Sequence, residues 1–65
     1  MAHFRIFLLN RAGRIEFHEE VEAPSDQAAI SLGEALFRRY PACAGLEVWE
    51  LTRLVHKELH QDPSR

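Results

Sequence analysis

Residues 4–23 read FRIFLLNRAGRIEFHEEVEA, and this stretch decides the fold. Its first part, residues 4–10, is a run of aromatic and aliphatic side chains, which is typical of a β-strand. Its last part, residues 14–23, alternates between apolar and polar side chains, which is typical of a strand with one buried face. Because Gly13 lies between the two parts and tolerates a positive φ angle, the sequence predicts a β-hairpin.

A hairpin loop closed on Ala12 and Gly13 fixes which residues of the two strands face each other. One face then carries the pairs Phe4–Val21, Ile6–Glu19 and Leu8–Phe17, an apolar set with one acidic member. The other face carries the pairs Arg5–Glu20, Phe7–His18 and Leu9–Glu16. A slip of one residue would mix the two faces, so we expect this register.

A helix is predicted over residues 26–40. Ser25 is a favourable N-cap residue, and Asp26 places negative charge in the first turn, where the helix dipole favours it. One broad face of the helix carries Ala28, Ala29, Leu32, Ala35, Leu36 and Tyr40. Gly33 lies at the edge of that face, where the missing side chain would permit close approach to a sheet.

The segment after the helix is ambiguous in the sequence. We assign residues 46–50 to a strand and residues 53–58 to a weaker strand. However, helical spacing also relates Val48, Leu51, Val55 and Leu59. Periodicity does not settle such short apolar runs, so the choice between strand and helix stays open for residues 52–59.

The predicted fold class is therefore α+β. It consists of a β-hairpin, one helix and then one or two strands, with the helix packed on one face of a small antiparallel sheet. A right-handed crossover through the helix places the third strand beside the first. One helix covers only one face of this sheet, and the other face is left open.

The open side of the sheet is the most informative surface that the sequence predicts. It would present Phe7 and Leu9, together with Trp49 or Val48. On the helix, Ile30 and Phe37 lie on the flank away from the main apolar face. We name as candidate partner-interface residues Phe7, Leu9, Trp49, Ile30 and Phe37.

Length and composition favour a single domain that self-associates. The chain has 65 residues, of which we assign 1–59 to one domain and 60–65 to a polar tail that frays. Folds this small bury little surface and commonly rely on disulfides, a metal or oligomerisation. Cys43 is the only cysteine, so a disulfide within the chain is excluded. We therefore expect a homo-oligomer, a homodimer being the simplest form.

Charge and hydropathy exclude several classes of function. The formal net charge is −2, which gives no general attraction to nucleic acid or to anionic membranes. The first ten residues lack a basic leader and a cleavage site, and no apolar run approaches a membrane span. A lone cysteine also suits a reducing compartment. We expect a cytoplasmic protein that does not bind membranes.

Two groups of side chains have the composition of a metal site. The first, the acidic stripe, follows one face of the second strand and comprises Glu16, His18, Glu20 and Glu22. The second lies near the end of the chain and comprises His56, Glu58 and His60. The acidic stripe is also explained as a solvated strand face that Arg5 partly neutralises. In the second group, His56 and His60 converge only if this segment is an ordered helix. Whether a metal binds at either place stays open, and we assign no metal or other cofactor.

No set of residues predicts catalysis. Cys43 lacks a base that the sequence places near it, and a free cysteine in a connector is usually a packed small side chain. Basic residues that could contact nucleic acid are Arg11, Arg14, Arg38 and Arg39. The last two also suit the negative end of the helix dipole. We therefore predict that the protein is not an enzyme and that nucleic acid is not its main partner.

Three segments carry a resemblance: HFRIFLLNRAGRI (residues 3–15), PSDQAAI (24–30) and LEVWELTRLV (46–55). Over about residues 3–57 the chain resembles a family of very short, uncharacterised bacterial proteins of proteobacterial type. The resemblance implies a bacterial cytoplasmic protein with a hairpin, a helix and terminal strands. It implies no activity and no functional residues.

A looser likeness, of topology alone, is to HicB-like antitoxin domains, which also run hairpin, helix, strand. The segment EAPSDQAAISLGEAL (residues 22–36) is similar to the stretch that opens their helix. The Pro-Gly-Cys type of turn that usually precedes that helix is missing here.

The sequence thus predicts a non-enzymatic interaction module that is homo-oligomeric and regulates a protein partner. The alternative is a protein that binds a small ligand or a divalent metal ion. A remoter alternative is a nucleic-acid-binding regulator of the antitoxin type.

Overall fold

A computed structural model describes residues 1–59, in which one helix packs on a four-stranded antiparallel sheet. The elements are β1 (Ala2–Leu9), β2 (Ile15–Ala23), α1 (Asp26–Arg39), β3 (Gly45–Glu50) and β4 (Arg53–Leu59). The strand order β2-β1-β3-β4 places the third strand beside the first, as predicted. The α+β prediction is confirmed, and the ambiguous segment is a strand. The predicted tail, residues 60–65, lies outside the described residues.

The hairpin loop contains three residues, 11–13, and not the predicted two. Asn10 N donates to Arg14 O at 2.8 Å, and Gly13 N donates to Asn10 O at 2.9 Å. Gly13 has a φ of 84°, the left-handed conformation that three-residue hairpin loops commonly contain. The Asn10 side chain holds the loop, because its Oδ1 accepts from Ala12 N at 2.9 Å and from Arg14 N at 3.0 Å.

A β-bulge compensates for the longer loop. The predicted pairs Phe4–Val21, Arg5–Glu20, Ile6–Glu19, Phe7–His18 and Leu8–Phe17 are all confirmed. The predicted pair Leu9–Glu16 is wrong, since Leu9 faces Ile15 and the register shifts between Leu8 and Leu9. Glu16 is the extra residue of this bulge, and its insertion returns β2 to the predicted register.

The hydrophobic core lies between α1 and one face of the sheet. Its largest fully buried side chains come from the strands in the middle of the sheet: Phe4, Ile6, Leu8, Leu46 and Val48. Ser25 caps the helix as predicted, its side chain accepting from Ala28 N at 3.2 Å. α1 has 14 residues, and no helix within the described part of the chain is long and apolar enough to cross a bilayer.

The helix meets the sheet through a face that is rotated from the predicted one and shares Ala29 and Leu36 with it. Its buried residues are Ala29, Gly33, Leu36 and Phe37, whereas Leu32 is 45% exposed. The interpretation of Phe37 as an outward-facing interface residue was therefore wrong. Ala29, Gly33 and Phe37 follow one another at four-residue spacing, and the two small residues let α1 approach the sheet. Phe37 in the same row is then directed into the core.

Gly33 packs closely against β3. A Cβ atom built on this glycine would lie 3.0 Å from Val48 Cγ2 and 3.3 Å from Leu46 Cδ1. This confirms the prediction that Gly33 permits a close approach to the sheet.

A β-branched residue at position 33 would separate α1 from β3. We expect Gly33→Val to lower the free energy of unfolding by about 1–3 kcal/mol through overpacking. The matched control is Leu32→Val, which introduces the same side chain at the neighbouring, exposed helix position. Urea denaturation of both variants measures the difference. A Gly33→Val protein as stable as the Leu32→Val protein would contradict this packing.

Candidate functional site

The sheet face opposite α1 carries apolar side chains that no element within residues 1–59 covers. Phe7 and Leu9 alternate along β1 with core residues and are half-buried. Trp49 pairs with Arg5 across the β1–β3 ladder and is therefore a diagonal neighbour of Phe7. Val48 is fully buried on the other side. We call this surface, centred on Phe7, Leu9 and Trp49, the open face.

Gly45 extends the open face toward β4. A Cβ atom at Gly45 would lie 3.3 Å from both Leu9 Cδ1 and Leu59 Cδ2, so these two leucines converge above the glycine. Leu59 is 65% exposed. Sequence analysis missed Leu59 because its position depends on the β3–β4 register, in which it faces Gly45.

Polar groups hold the aromatic side chains of the open face in place. Trp49 Nε1 donates to Glu47 Oε1 at 2.9 Å, and Lys57 Nζ lies 4.0 Å from Glu47 Oε2. The rings of Phe7 and His18 lie 6.0 Å apart between centroids. The indole is thus oriented by a hydrogen bond within its own chain, and its apolar ring surface remains available.

β1 neutralises part of the acidic stripe. Glu20 contacts His3 Nε2 at 3.1 Å and Arg5 Nε at 3.2 Å, and Glu22 lies 3.7 Å from His3 Nδ1. The hydrogen bond from His3 and the charge of Arg5 hold the pKa of Glu20 below its ordinary value. The described residues therefore favour the interpretation of the stripe as a charged strand face with partners on β1.

Removing His3 tests this description of the stripe. We expect His3→Ala to raise the pKa of Glu20 toward its ordinary value, because the largest stabilising contact of the carboxylate is lost. Side-chain carbonyl NMR titration measures that pKa. His18→Ala is the control, since His18 pairs with Phe7 and not with Glu20. An unchanged Glu20 pKa in His3→Ala would show that the contact does not form.

A second cluster forms where α1 passes over β4. His56 Nε2 lies 3.3 Å from Glu58 Oε1 and 4.0 Å from Glu34 Oε2, and all three side chains are partly exposed. Among the described residues, these are the three potential metal ligands whose donor atoms converge. Sequence analysis named His56 and Glu58 but missed Glu34, because the helix-to-strand contact is not visible in spacing. His60, the other predicted ligand, lies outside the described residues.

Cys43 is buried beside this cluster. It is 5% exposed and lines, with Glu34 and Glu58, a cleft of about 440 Å³. Burial, and then the charge of Glu16, raises the pKa of the thiol above its ordinary value. A buried thiol that is hard to ionise is a poor nucleophile, which favours the interpretation of Cys43 as a packed core residue.

The predicted basic residues meet at one end of the molecule. Ala44 N donates to Leu9 O at 2.8 Å, and the rings of Phe17 and Tyr40 stack with centroids 5.1 Å apart. These contacts bring the hairpin loop, with Arg11 and Arg14, to the same end as the last turn of α1. Arg38 and Arg39 lie in that turn. Nucleic-acid binding by this end stays the remoter alternative, and the prediction that nucleic acid is not the main partner stays a prediction.

In comparisons with protein family models, with curated proteins and with solved structures, nothing matches this chain. The resemblances to the short bacterial family and to HicB-like domains stay predictions.

Proposed function

We propose that the protein is a non-enzymatic interaction module that forms a homodimer through the open face. The observation that carries the proposal is a set of apolar side chains that residues 1–59 leave uncovered: Phe7, Leu9 and Trp49 on the middle strands and Leu59 on the edge strand β4. Each half-buried side chain there would gain roughly 1–2 kcal/mol from complete burial. A gain of this size matters in a small domain, because its own core leaves only a thin margin of stability.

The dimensions of the open face fit a second copy of the chain. Four strands spaced about 4.8 Å apart and about 25 Å long form a face of roughly 450 Å². Two opposed faces would bury roughly 900 Å² in total, which is close to the lower limit of about 1,000 Å² for a specific interface. Two such sheets would pack with their strands nearly aligned, as in a β-sandwich.

Charge favours one orientation of the two copies. On the open face, Glu20 and Glu22 lie on β2, whereas Lys57 lies on β4, the opposite edge of the sheet. A twofold axis parallel to the strands places β2 of one copy against β4 of the other. Lys57 then faces the partner's acidic stripe, and Phe7 on β1 faces the partner's β3. The contact is isologous, as in most homodimers.

This arrangement leaves α1 on the outside of the dimer. Ile30, one of the predicted interface residues, is partly buried there, and Leu32 is exposed. The outer surface of the helix is then the part of the dimer that is available to a protein partner.

Replacing Phe7 tests the contact surface. We expect the native chain of 7.5 kDa to sediment as a dimer and Phe7→Thr to weaken dimerisation by roughly tenfold or more, since a central aromatic contact is lost. Threonine keeps a high strand propensity, so the sheet is retained. Sedimentation equilibrium measures the mass, and circular dichroism verifies the fold.

The matched control is Leu32→Gln, which removes an exposed apolar side chain from the helix side. It is expected to leave the dimer intact. A monomeric native protein, or a dimer lost in Leu32→Gln but kept in Phe7→Thr, would contradict the proposed surface.

A charge exchange tests the orientation. We expect Lys57→Glu to weaken the dimer by placing like charges near each other, and the second change Glu20→Lys to restore it, since Glu20 is the carboxylate of β2 next to the level of Lys57 along the strands. The two residues lie on opposite edges of one sheet, so a rescue would act between chains. Sedimentation equilibrium of both variants measures the effect. If the double variant is as weak as Lys57→Glu, the twofold axis parallel to the strands is wrong.

A further inference from the structure

We propose that Glu34, His56 and Glu58 form a binding site for a divalent transition-metal ion such as Zn²⁺, which would link α1 to the edge strand β4. The site lies on the helix side of the sheet and is independent of the dimer proposed above.

The strand register places two of the ligands on the side of β4 that faces the helix. His56 pairs with Val48 and Glu58 pairs with Leu46, and both of these β3 residues are fully buried beneath α1. Cross-strand neighbours share a face, so His56 and Glu58 lie on the same face as the core. Glu34 follows Gly33 in α1 and supplies the third potential ligand from the helix that covers this face of the sheet.

The distances are close to those that an ion requires. Zinc binds histidine nitrogen and carboxylate oxygen at about 2.0–2.2 Å, which separates neighbouring ligand atoms of a tetrahedron by about 3.3–3.5 Å. His56 Nε2 and Glu58 Oε1 already lie 3.3 Å apart. Glu34 Oε2, at 4.0 Å from the same nitrogen, needs to approach by less than about 1 Å. The Glu34 side chain is 42% exposed, so it has room for this movement.

The donor set selects the class of ion. One imidazole and two carboxylates suit zinc, manganese or iron, whereas calcium and magnesium prefer oxygen donors alone. Two carboxylates close together also concentrate negative charge, which a divalent cation would neutralise.

The surroundings leave room for a further ligand. Glu34 and Glu58 line the cleft of about 440 Å³, together with Phe37, Arg38, Pro41 and Cys43. With three protein ligands, the fourth position of a tetrahedral ion would face this cleft and would be filled by water. The ion would also add a contact between α1 and a strand that lies at the edge of the sheet.

Titration of metal-free protein with ZnCl₂ tests the site. Isothermal titration calorimetry is expected to show one ion per chain, and the melting temperature is expected to rise as zinc is added, because the ion binds only the folded state. His56→Ala and Glu34→Gln should each weaken binding by roughly tenfold or more. The imidazole ¹⁵N resonances of His56 should shift with zinc.

His18→Ala is the matched control, since this histidine lies on the open face, and it is expected to bind zinc as the native chain does. Glu34→Gln alters a partly exposed helix position, so it remains informative if His56→Ala folds poorly. The absence of both heat and a melting shift would overturn the proposal. Zinc affinity equal to that of the native chain in Glu34→Gln would also overturn it. The same holds if His18→Ala or His60→Ala loses binding while Glu34→Gln still binds zinc.

Discussion

The contact on which the rest of the structure depends is the close approach of α1 to β3 at Gly33. Val48 and Leu46 fill the space that a side chain at this position would occupy. The contact fixes both the distance and the rotation of the helix. It directs Phe37 into the core and leaves Leu32 exposed. It also carries Glu34, the next residue, toward β4.

A single helix over four strands divides the surface into two unlike sides. On the helix side, the core is closed, and the one convergent set of potential metal ligands among the described residues lies at its β4 margin. On the other side, Phe7, Leu9 and Trp49 remain at the surface, with Arg5 and Glu47 beside them on the middle strands and further charged residues on the edge strands. The two proposals therefore concern different sides of the sheet. A metal linking α1 to β4 would leave the open face unchanged, and a dimer through that face would leave the metal site exposed.

Local patterns in the sequence predicted most of the fold. The alternation in residues 14–23, the glycine in the loop and the Ser25 cap are local signals, and the hairpin and the helix followed from them. The position of the third strand beside the first followed from the right-handed crossover rule. The predicted pair Leu9–Glu16 was wrong because the loop contains three residues instead of two. The bulge at Glu16 offsets the extra loop residue, so the pairs from Leu8–Phe17 to Phe4–Val21 keep the predicted register. Periodicity alone left residues 52–59 undecided, and in the structure they pair with β3 as a strand.

The candidate sites depended more on contacts that sequence spacing does not contain. Phe7 and Leu9 were predicted to share a face, because strand alternation is a local property, whereas the choice between Trp49 and Val48 needed the β1–β3 register. The rotation of α1 is not local, since it depends on which small residues meet the sheet. For that reason Phe37 was wrongly placed on the surface, and Glu34 was missed. Leu59 was missed because its neighbour Gly45 belongs to another strand.

The central claim is that a second copy of the chain covers the open face, and the fluorescence of Trp49 tests it most directly. Trp49 is the only tryptophan, so its emission reports on this face alone. The account predicts blue-shifted emission at high protein concentration and a red shift on dilution, in step with the loss of the dimer mass. An emission spectrum that stays constant while the mass falls from dimer to monomer would contradict it.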